Sequence, residues 1–331
     1  MKIAIVKLSA LGDIIHAMVV LQFIKKNNPE IEIDWVVEER YRGLLQFNPD
    51  INKIHVVNIK NAKKKNSLYL FINEIRKVRQ FGSYDLVIDL QGLFKSAIIS
   101  RLIRSSVTVG FEKFSARESF ASIFYNQKFR IRYDENVIER NFELIKFALK
   151  LPFHRKEIKN KKSFLFSNQR YLNSNLSVDK KNILLIPGAS HPSKCYPVSN
   201  FVEFTTLLDA NFLTIWGSQK EKKIAEEIKT KGSRVSLCEK LSIDSLILLI
   251  SQVDLVIGPD TGPTHIAWAL NIPSITIFGP TPGYRNTYTT KVNKIIESDS
   301  VVDPNKINKN DDSIKNIKVS DIVEISKKLL S

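Results

Sequence analysis

"MKIAIVKLSALGDIIHA", residues 1–17, holds a short apolar run at positions 3–6 and then a helical pattern. The run has the unbroken hydrophobicity of a strand buried on both faces, as strands of a parallel sheet are. Apolar residues at 11, 14, 15 and 18 recur at helical spacing, so a helix is expected over 11–26. A strand running directly into a helix opens a βαβ unit. The turn between them carries a single glycine, Gly12, followed at once by Asp13. A dinucleotide-binding turn would carry G-x-G-x-x-G here, so a dehydrogenase is not indicated.

The same alternation continues outward from this turn. Strands are expected at 33–37, 54–59, 84–90 and 107–111, with helices over 68–81, near 93–104 and over 136–151. A polar stretch rich in Lys and Asn follows, read as a linker over 156–181. The alternation then restarts, with strands at 182–190, 211–217, 234–238, 254–260 and 274–280. Helices are expected over 220–231, 243–251 and 319–330. Two successive βα arrays imply an α/β chain of two Rossmann-like, doubly wound parallel-sheet domains facing a central cleft. Their expected bounds are 1–155 and 182–331, with the last helix packing back on the first domain.

The chain has 331 residues, 43% hydrophobic and 25% charged, the composition of a folded globular protein. No apolar run nears the roughly 20 residues of a membrane span, and residues 1–7 do not resemble a signal peptide. Cys195 and Cys238 lie far apart in no metal-like spacing, which suits a reducing cytoplasmic setting. Fifty Lys and Arg against 34 Asp and Glu leave a net charge of +16. That excess suits an anionic membrane, an anionic substrate or nucleic acid, and codon bias toward Lys would also produce it. The lysines lack the interleaved aromatics of a single-strand platform, so no nucleic-acid partner is expected.

Three turns in the second array could bind an anion or a sugar. In "PGASHPSKCYP" (187–197), Gly188 permits a tight turn, Ala189 and Ser190 leave amides open, and Lys194 could reach an anionic oxygen. The plainer reading is a βα loop with a surface lysine. In "GPDTGPTHIAWAL" (258–270), Asp260 ends a strand, Thr261 and Gly262 open a helix, and His265 sits in its first turn. Helix-start amides form a ready anion site, and Asp260 could accept from sugar hydroxyls. The alternative is a capping Asp with a packed histidine. In "WGSQKEKKIAEE" (216–227), Glu221 could accept from a ribose or could only complement the helix dipole. In the first array, Lys60, Lys63, Lys64 and Lys65 cluster at the end of a strand and Arg117 sits on a later loop. They suit phosphate or carboxylate groups, or form a solvated charge run. Asp13, beyond the carboxyl end of the first strand, could take a proton from a hydroxyl nucleophile or could merely favour the helix start.

Five ordered stretches together, "KLSALGDIIHA", "YDLVIDLQGLFKSA", "ARESFASIFYNQK", "PGASHPSKCYP" and "GPDTGPTHIAWAL", resemble the lipopolysaccharide heptosyltransferases over nearly the whole chain. "DLQGLFKSA" and "KLSALGD" are similar to the type I branch. The resemblance implies a GT-B fold and an inverting glycosyltransferase. It implies transfer of L-glycero-D-manno-heptose from ADP-heptose to the inner Kdo of Kdo–lipid A, at the cytoplasmic face of the inner membrane. Asp13 matches the family's general base. Ala189, Ser190, Lys194, Asp260, Thr261, Gly262 and His265 match donor-contacting positions. Glu221 matches the acid at the ribose, and Leu241 an apolar residue beside the adenine. Lys60, Lys63, Lys64 and Arg117 match acceptor-binding positions. Two departures stand out: "GAS" replaces a pair of threonines in the phosphate loop, and lysines replace arginines in the acceptor cluster. No metal or cofactor is implied, because Lys194, helix amides and His265 would stabilise the leaving diphosphate. The competing readings are a type II enzyme, another GT-B transferase, or a non-catalytic lipopolysaccharide-assembly protein.

Overall fold

The computed structural model describes residues 1–58, 68–169, 175–304 and 307–331. The chain divides into two compact units, Met1–Phe164 and Leu165–Ser331.

The first unit is built on β1 (Lys2–Val6), β2 (Glu32–Glu38), β3 (Lys53–Val57), β4 (Ser83–Asp89), β5 (Arg104–Phe111) and β6 (Gln127–Phe129). They form one sheet in the order β3-β2-β1-β4-β5-β6, and every pairing is parallel. The second unit repeats the plan. β7 (Asn182–Leu185), β8 (Asn211–Thr214), β9 (Val235–Leu237), β10 (Leu255–Pro259), β11 (Ser274–Phe278) and β12 (Asn293–Glu297) pair in parallel in the order β12-β11-β10-β7-β8-β9. Two doubly wound α/β sheets are thus present, as the GT-B expectation required. In each, the first strand is flanked by the second and the fourth. The strand order reverses there, so the loops after the first and fourth strands diverge and leave a crevice at the carboxyl edge.

The central strands β1, β7 and β10 are buried on both faces, which explains their unbroken apolar sequences. The two strands that the sequence did not announce are short or polar. β6 has three residues, and β12 carries Asn293 and Lys294 at the sheet edge, where one side of the ladder needs no partner strand. The single helix expected over 11–26 is two, Leu11–Met18 and Val20–Asn27, joined at Val19. A further helix, Val198–Leu207, buries Phe201 and Phe204 against the second sheet.

The helix Val319–Leu330 differs from its expected placement. Val319, Ile322 and Val323 lie in the second unit's core with Phe201, Leu255 and Ile275, and the helix packs on Val198–Leu207. Apolar residues at 319, 322 and 323 make one stripe, and that stripe covers the second sheet rather than the first unit. At the start of the expected linker, Arg155–Asn160 form a 3-10 turn whose Ile158 is buried in the first unit. Among the described residues, no helix is long and apolar enough to cross a membrane.

Candidate active site

In the second unit the reversal of strand order falls between β7 and β10, and side chains from the loops that follow these strands reach each other across the crevice. Asp260 directly follows β10 and is buried. Its Oδ2 accepts from Lys194 Nζ at 2.6 Å, Thr281 Oγ1 at 3.1 Å and Asn286 Nδ2 at 3.3 Å. Its Oδ1 is 3.0 Å from His265 Nε2. Burial alone would raise the pKa of this carboxyl. The Lys194 charge and the His265 contact outweigh burial and hold it far below the ordinary carboxylate range.

The helix Gly262–Leu270 begins beside this carboxylate. Its N-cap, Thr261, makes no side-chain capping bond, and Pro263 contributes no N–H. The Gly262 and Thr264 amides therefore carry the positive end of the helix without a side-chain cap. Lys194 comes from the 3-10 turn Pro192–Lys194, with His191 accepting from the Ser193 amide. The arrangement offers an ammonium, a helix N-terminus and a buried carboxylate at one strand edge. That combination suits a diphosphate joined to a hydroxylated sugar.

Gly188 is fixed by a close approach. A Cβ there would stand 2.6 Å from the Glu221 side chain, so a larger residue would push that carboxylate from its place. Glu221 sits at the third position of the helix Gln219–Lys231, where Ser218 caps the start. Its Oε2 accepts from the Gly217 and Ser218 amides, each at 2.8 Å. One carboxylate oxygen thus serves the turn, and Oε1 faces Gly188. The Cys195 thiol, near the Ala189 amide, donates to the His191 carbonyl at 3.7 Å. Ser190 is exposed, and Leu241 is half-buried just before the helix Ile243–Gln252.

In the first unit the equivalent reversal falls between β1 and β4. Asp13 lies in the first turn of the helix Leu11–Met18, and its Oδ2 accepts from the Ala10 amide at 3.1 Å. Gln91, just past β4, fastens the strand-to-helix turn that precedes it. Gln91 Oε1 accepts from the Leu8 and Ser9 amides at 2.9 and 3.1 Å, and Nε2 donates to the Ser9 carbonyl at 2.6 Å. Lys7 is buried beneath and donates to the Leu90 carbonyl at 2.7 Å. Burial pushes its pKa down, and the charges of Asp13 and Asp89 oppose that.

Residues 73–312 match the family model of glycosyltransferase family 9 (heptosyltransferase). The chain is 42% identical to lipopolysaccharide heptosyltransferase 1 of Campylobacter coli, with 99% of each chain aligned. The chain belongs to glycosyltransferase family 9, the heptosyltransferases. A second relative, lipopolysaccharide heptosyltransferase 1 of Escherichia coli K12, is 28% identical over 87% of this chain and 91% of its own. The solved E. coli heptosyltransferase WaaC with ADP aligns with a TM-score of 0.81 at 26% identity, over 99% of this chain and 100% of that one.

In this heptosyltransferase, Lys194, Asp260 and His265 form one bonded group, with Thr261 and Gly262 beside it. Glu221 and Gly188 form a second group at the end of β7 and β8. Arg117 is exposed on the β5–β6 connection. Lys60, Lys63 and Lys64 lie outside the described residues. Sequence reasoning missed Thr281, Asn286, Gln91 and Trp216. Thr281 and Asn286 belong to "GPTPGYRN", a Gly/Pro turn directly after a strand, which was the available signal. Trp216, two residues past β8, donates from Nε1 to the Cys238 carbonyl at 3.0 Å, which ties the Glu221 turn to the loop before Leu241.

Proposed function

We propose that this heptosyltransferase transfers L-glycero-D-manno-heptose from ADP-heptose to the inner Kdo of Kdo–lipid A, with inversion at the anomeric carbon. The observation that carries the donor reading is the Lys194–Asp260–His265 group at an uncapped helix start. The relatives named heptosyltransferase 1 support the acceptor reading.

In this scheme the second unit holds the donor. Lys194 and the Gly262 and Thr264 amides face the diphosphate, Asp260 and His265 orient the sugar hydroxyls, and Glu221 meets the ribose through Oε1. Leu241 lies against the adenine, and the Ala189 and Ser190 backbone lines the phosphate turn. Asp13 of the first unit is the base. The acceptor hydroxyl oxygen bonds to the anomeric carbon from the face opposite the diphosphate. The bond from that carbon to the diphosphate oxygen breaks, and the electron pair leaves with ADP. The hydroxyl proton passes to the Asp13 carboxylate. The negative charge growing on ADP is met by Lys194 and the helix amides, fixed in place before the reaction. Lys60, Lys63, Lys64 and Arg117 receive the anionic acceptor at the cytoplasmic face of the inner membrane.

Mass spectrometry and proton NMR of the product from ADP-heptose and de-acylated Kdo–lipid A test this. The expected product carries one added heptosyl unit of inverted anomeric configuration. Transfer only to an acceptor that already carries heptose, or only from another nucleotide sugar, would replace the reading with a type II or different GT-B enzyme.

A further inference from the structure

Between β5 and β6 the chain makes an excursion over residues 112–126, of which the proposed reaction uses only Arg117. Its surface carries large exposed apolar side chains among polar ones. Phe120 is 73% exposed and Ile123 70%, both in the 3-10 turn Ser119–Phe124. Residues three apart eclipse in a 3-10 helix, so these two side chains share a face. Phe94, in the first turn of the helix Phe94–Leu102, is 47% exposed. Its ring meets that of Phe124 edge-on, with centroids 5.5 Å apart.

A firm frame holds these groups in water. The Glu118 amide donates to the Gly92 carbonyl at 3.1 Å, and the Phe94 amide donates to the Glu118 carboxylate at 2.7 Å. Beneath the turn, Ala121, Ser122 and Tyr125 are buried, and Tyr125 Oη donates to Asp89 at 2.8 Å. Gly92 has φ +67°, and a Cβ there would lie 3.5 Å from the Arg117 nitrogen, so the excursion lies directly over the β4 turn. Gln91 in that same turn fastens the loop before Asp13. The apolar face therefore stands on the sheet edge that carries Asp13. Its exposed flanking charges include Lys113 and Arg117. The two acids of the excursion, Glu112 and Glu118, are turned to the backbone amides of Phe114 and Phe94.

We propose that Phe94, Phe120 and Ile123, flanked by Lys113 and Arg117, form a docking face for an anionic lipid bilayer, with the three apolar side chains entering the boundary between headgroups and acyl chains. Apolar groups framed by cations are the chemistry of an interfacial membrane contact. A second copy of the chain would bring two bodies of charge +16 together, which opposes self-association through this face. The purpose of the contact rests on the proposed lipid-anchored acceptor; its test does not.

The full-length protein is sedimented with phosphatidylcholine vesicles and with vesicles containing one quarter phosphatidylglycerol. The wild type should bind the anionic vesicles, and the Phe120→Ser/Ile123→Ser variant should bind them about tenfold or more weakly. That variant should keep wild-type ADP binding and transfer to the de-acylated acceptor. If it loses ADP binding, the single Phe120→Ser and Ile123→Ser variants carry the comparison. Equal vesicle binding by variant and wild type overturns the proposal, as does a wild type that binds no anionic vesicles. A wild-type dimer that the substitutions dissolve, with vesicle binding unchanged, assigns the face to self-association and also overturns it. Vesicle binding through this face by a chain that transfers no heptose would sink the functional reading alone.

Discussion

Lys194 Nζ lies 2.6 Å from Asp260 Oδ2, joining the loop after β7 to the end of β10 where the strand order reverses. Both groups are largely withdrawn from water, so neither is readily replaced by solvent when the other is removed. Lys194→Ala should weaken ADP binding by roughly 30-fold, about 2 kcal/mol, because it deletes the ammonium and leaves a buried carboxylate facing the diphosphate. Isothermal calorimetry with ADP reads this directly. Wild-type affinity would remove Lys194 from the diphosphate site.

Asp13→Asn keeps the shape of the turn but cannot take a proton. A fall in kcat of about 10²- to 10⁴-fold is expected, with ADP affinity unchanged, since Asp13 belongs to the other unit. Steady-state kinetics beside calorimetry separate the two quantities. A variant that turns over normally would show that Asp13 only favours the helix start.

Gln91 bonds the turn before Asp13, so under the proposed mechanism it would act by positioning that carboxylate. Gln91→Ala removes three hydrogen bonds to Leu8 and Ser9 and should lower kcat by on the order of ten- to a hundred-fold. Gln91→Glu keeps the acceptor for both amides and loses only the donation to the Ser9 carbonyl. Its kcat should fall between those of the wild type and the alanine variant, with donor KM unchanged in both. A merely structural role would lower thermal stability in step and leave the kcat of the folded fraction intact.

Asp260 makes stability pH-dependent with a definite sign. Its folded pKa lies below the unfolded value near 3.8, so the folded state holds fewer protons between the two. Its contribution is complete above the unfolded pKa and is lost as pH falls toward the folded one. Asp260→Asn should therefore destabilise the chain by about 3 kcal/mol at pH 7, because Lys194 loses its counter-charge. The gap should narrow below pH 4. Urea unfolding of both proteins from pH 3 to pH 7 measures it, and a gap that widened on acidification would contradict the assignment.

Replacing Lys60, Lys63 and Lys64 together by Gln should raise acceptor KM, most strongly at low salt, and leave donor KM unchanged. Each cation near an anionic surface contributes about 1 kcal/mol within a Debye length. Acceptor KM measured against ionic strength distinguishes this from a solvated charge run, for which the curves would coincide.

The buried central strands were legible because a strand covered on both faces has nowhere to put a polar residue. β1 and β10 show this, and with them the two turns that bear Asp13 and Asp260. The partners of those turns were less visible. Thr281 and Asn286 reach Asp260 only because β11 lies beside β10, and Gln91 reaches Ser9 only because β4 lies beside β1. Sequence separation hides such neighbours, and strand order reveals them. Glu221 shows a different limit. The sequence presented a helix-start acid, and the packing against Gly188 that ties it to the 187–190 turn is a contact between two loops 33 positions apart. The placement of Val319–Leu330 failed for a third reason. An amphipathic stripe announces that a helix is covered and does not say by which sheet.

That last helix has a consequence for how the protein is made. The second core is finished by Ile314, Ile317, Ile322 and Val323, and Tyr196 donates to the Ile317 carbonyl from 121 positions upstream. β7 and β10 therefore leave the ribosome before the segments that shield them. The first unit has no such debt, since all its strands and covering helices precede residue 165. At about 5–20 residues per second, the first sheet has on the order of ten to thirty seconds to close while the remainder is still being translated. For part of that interval the apolar strands of the second sheet stand without the C-terminal residues that complete their core.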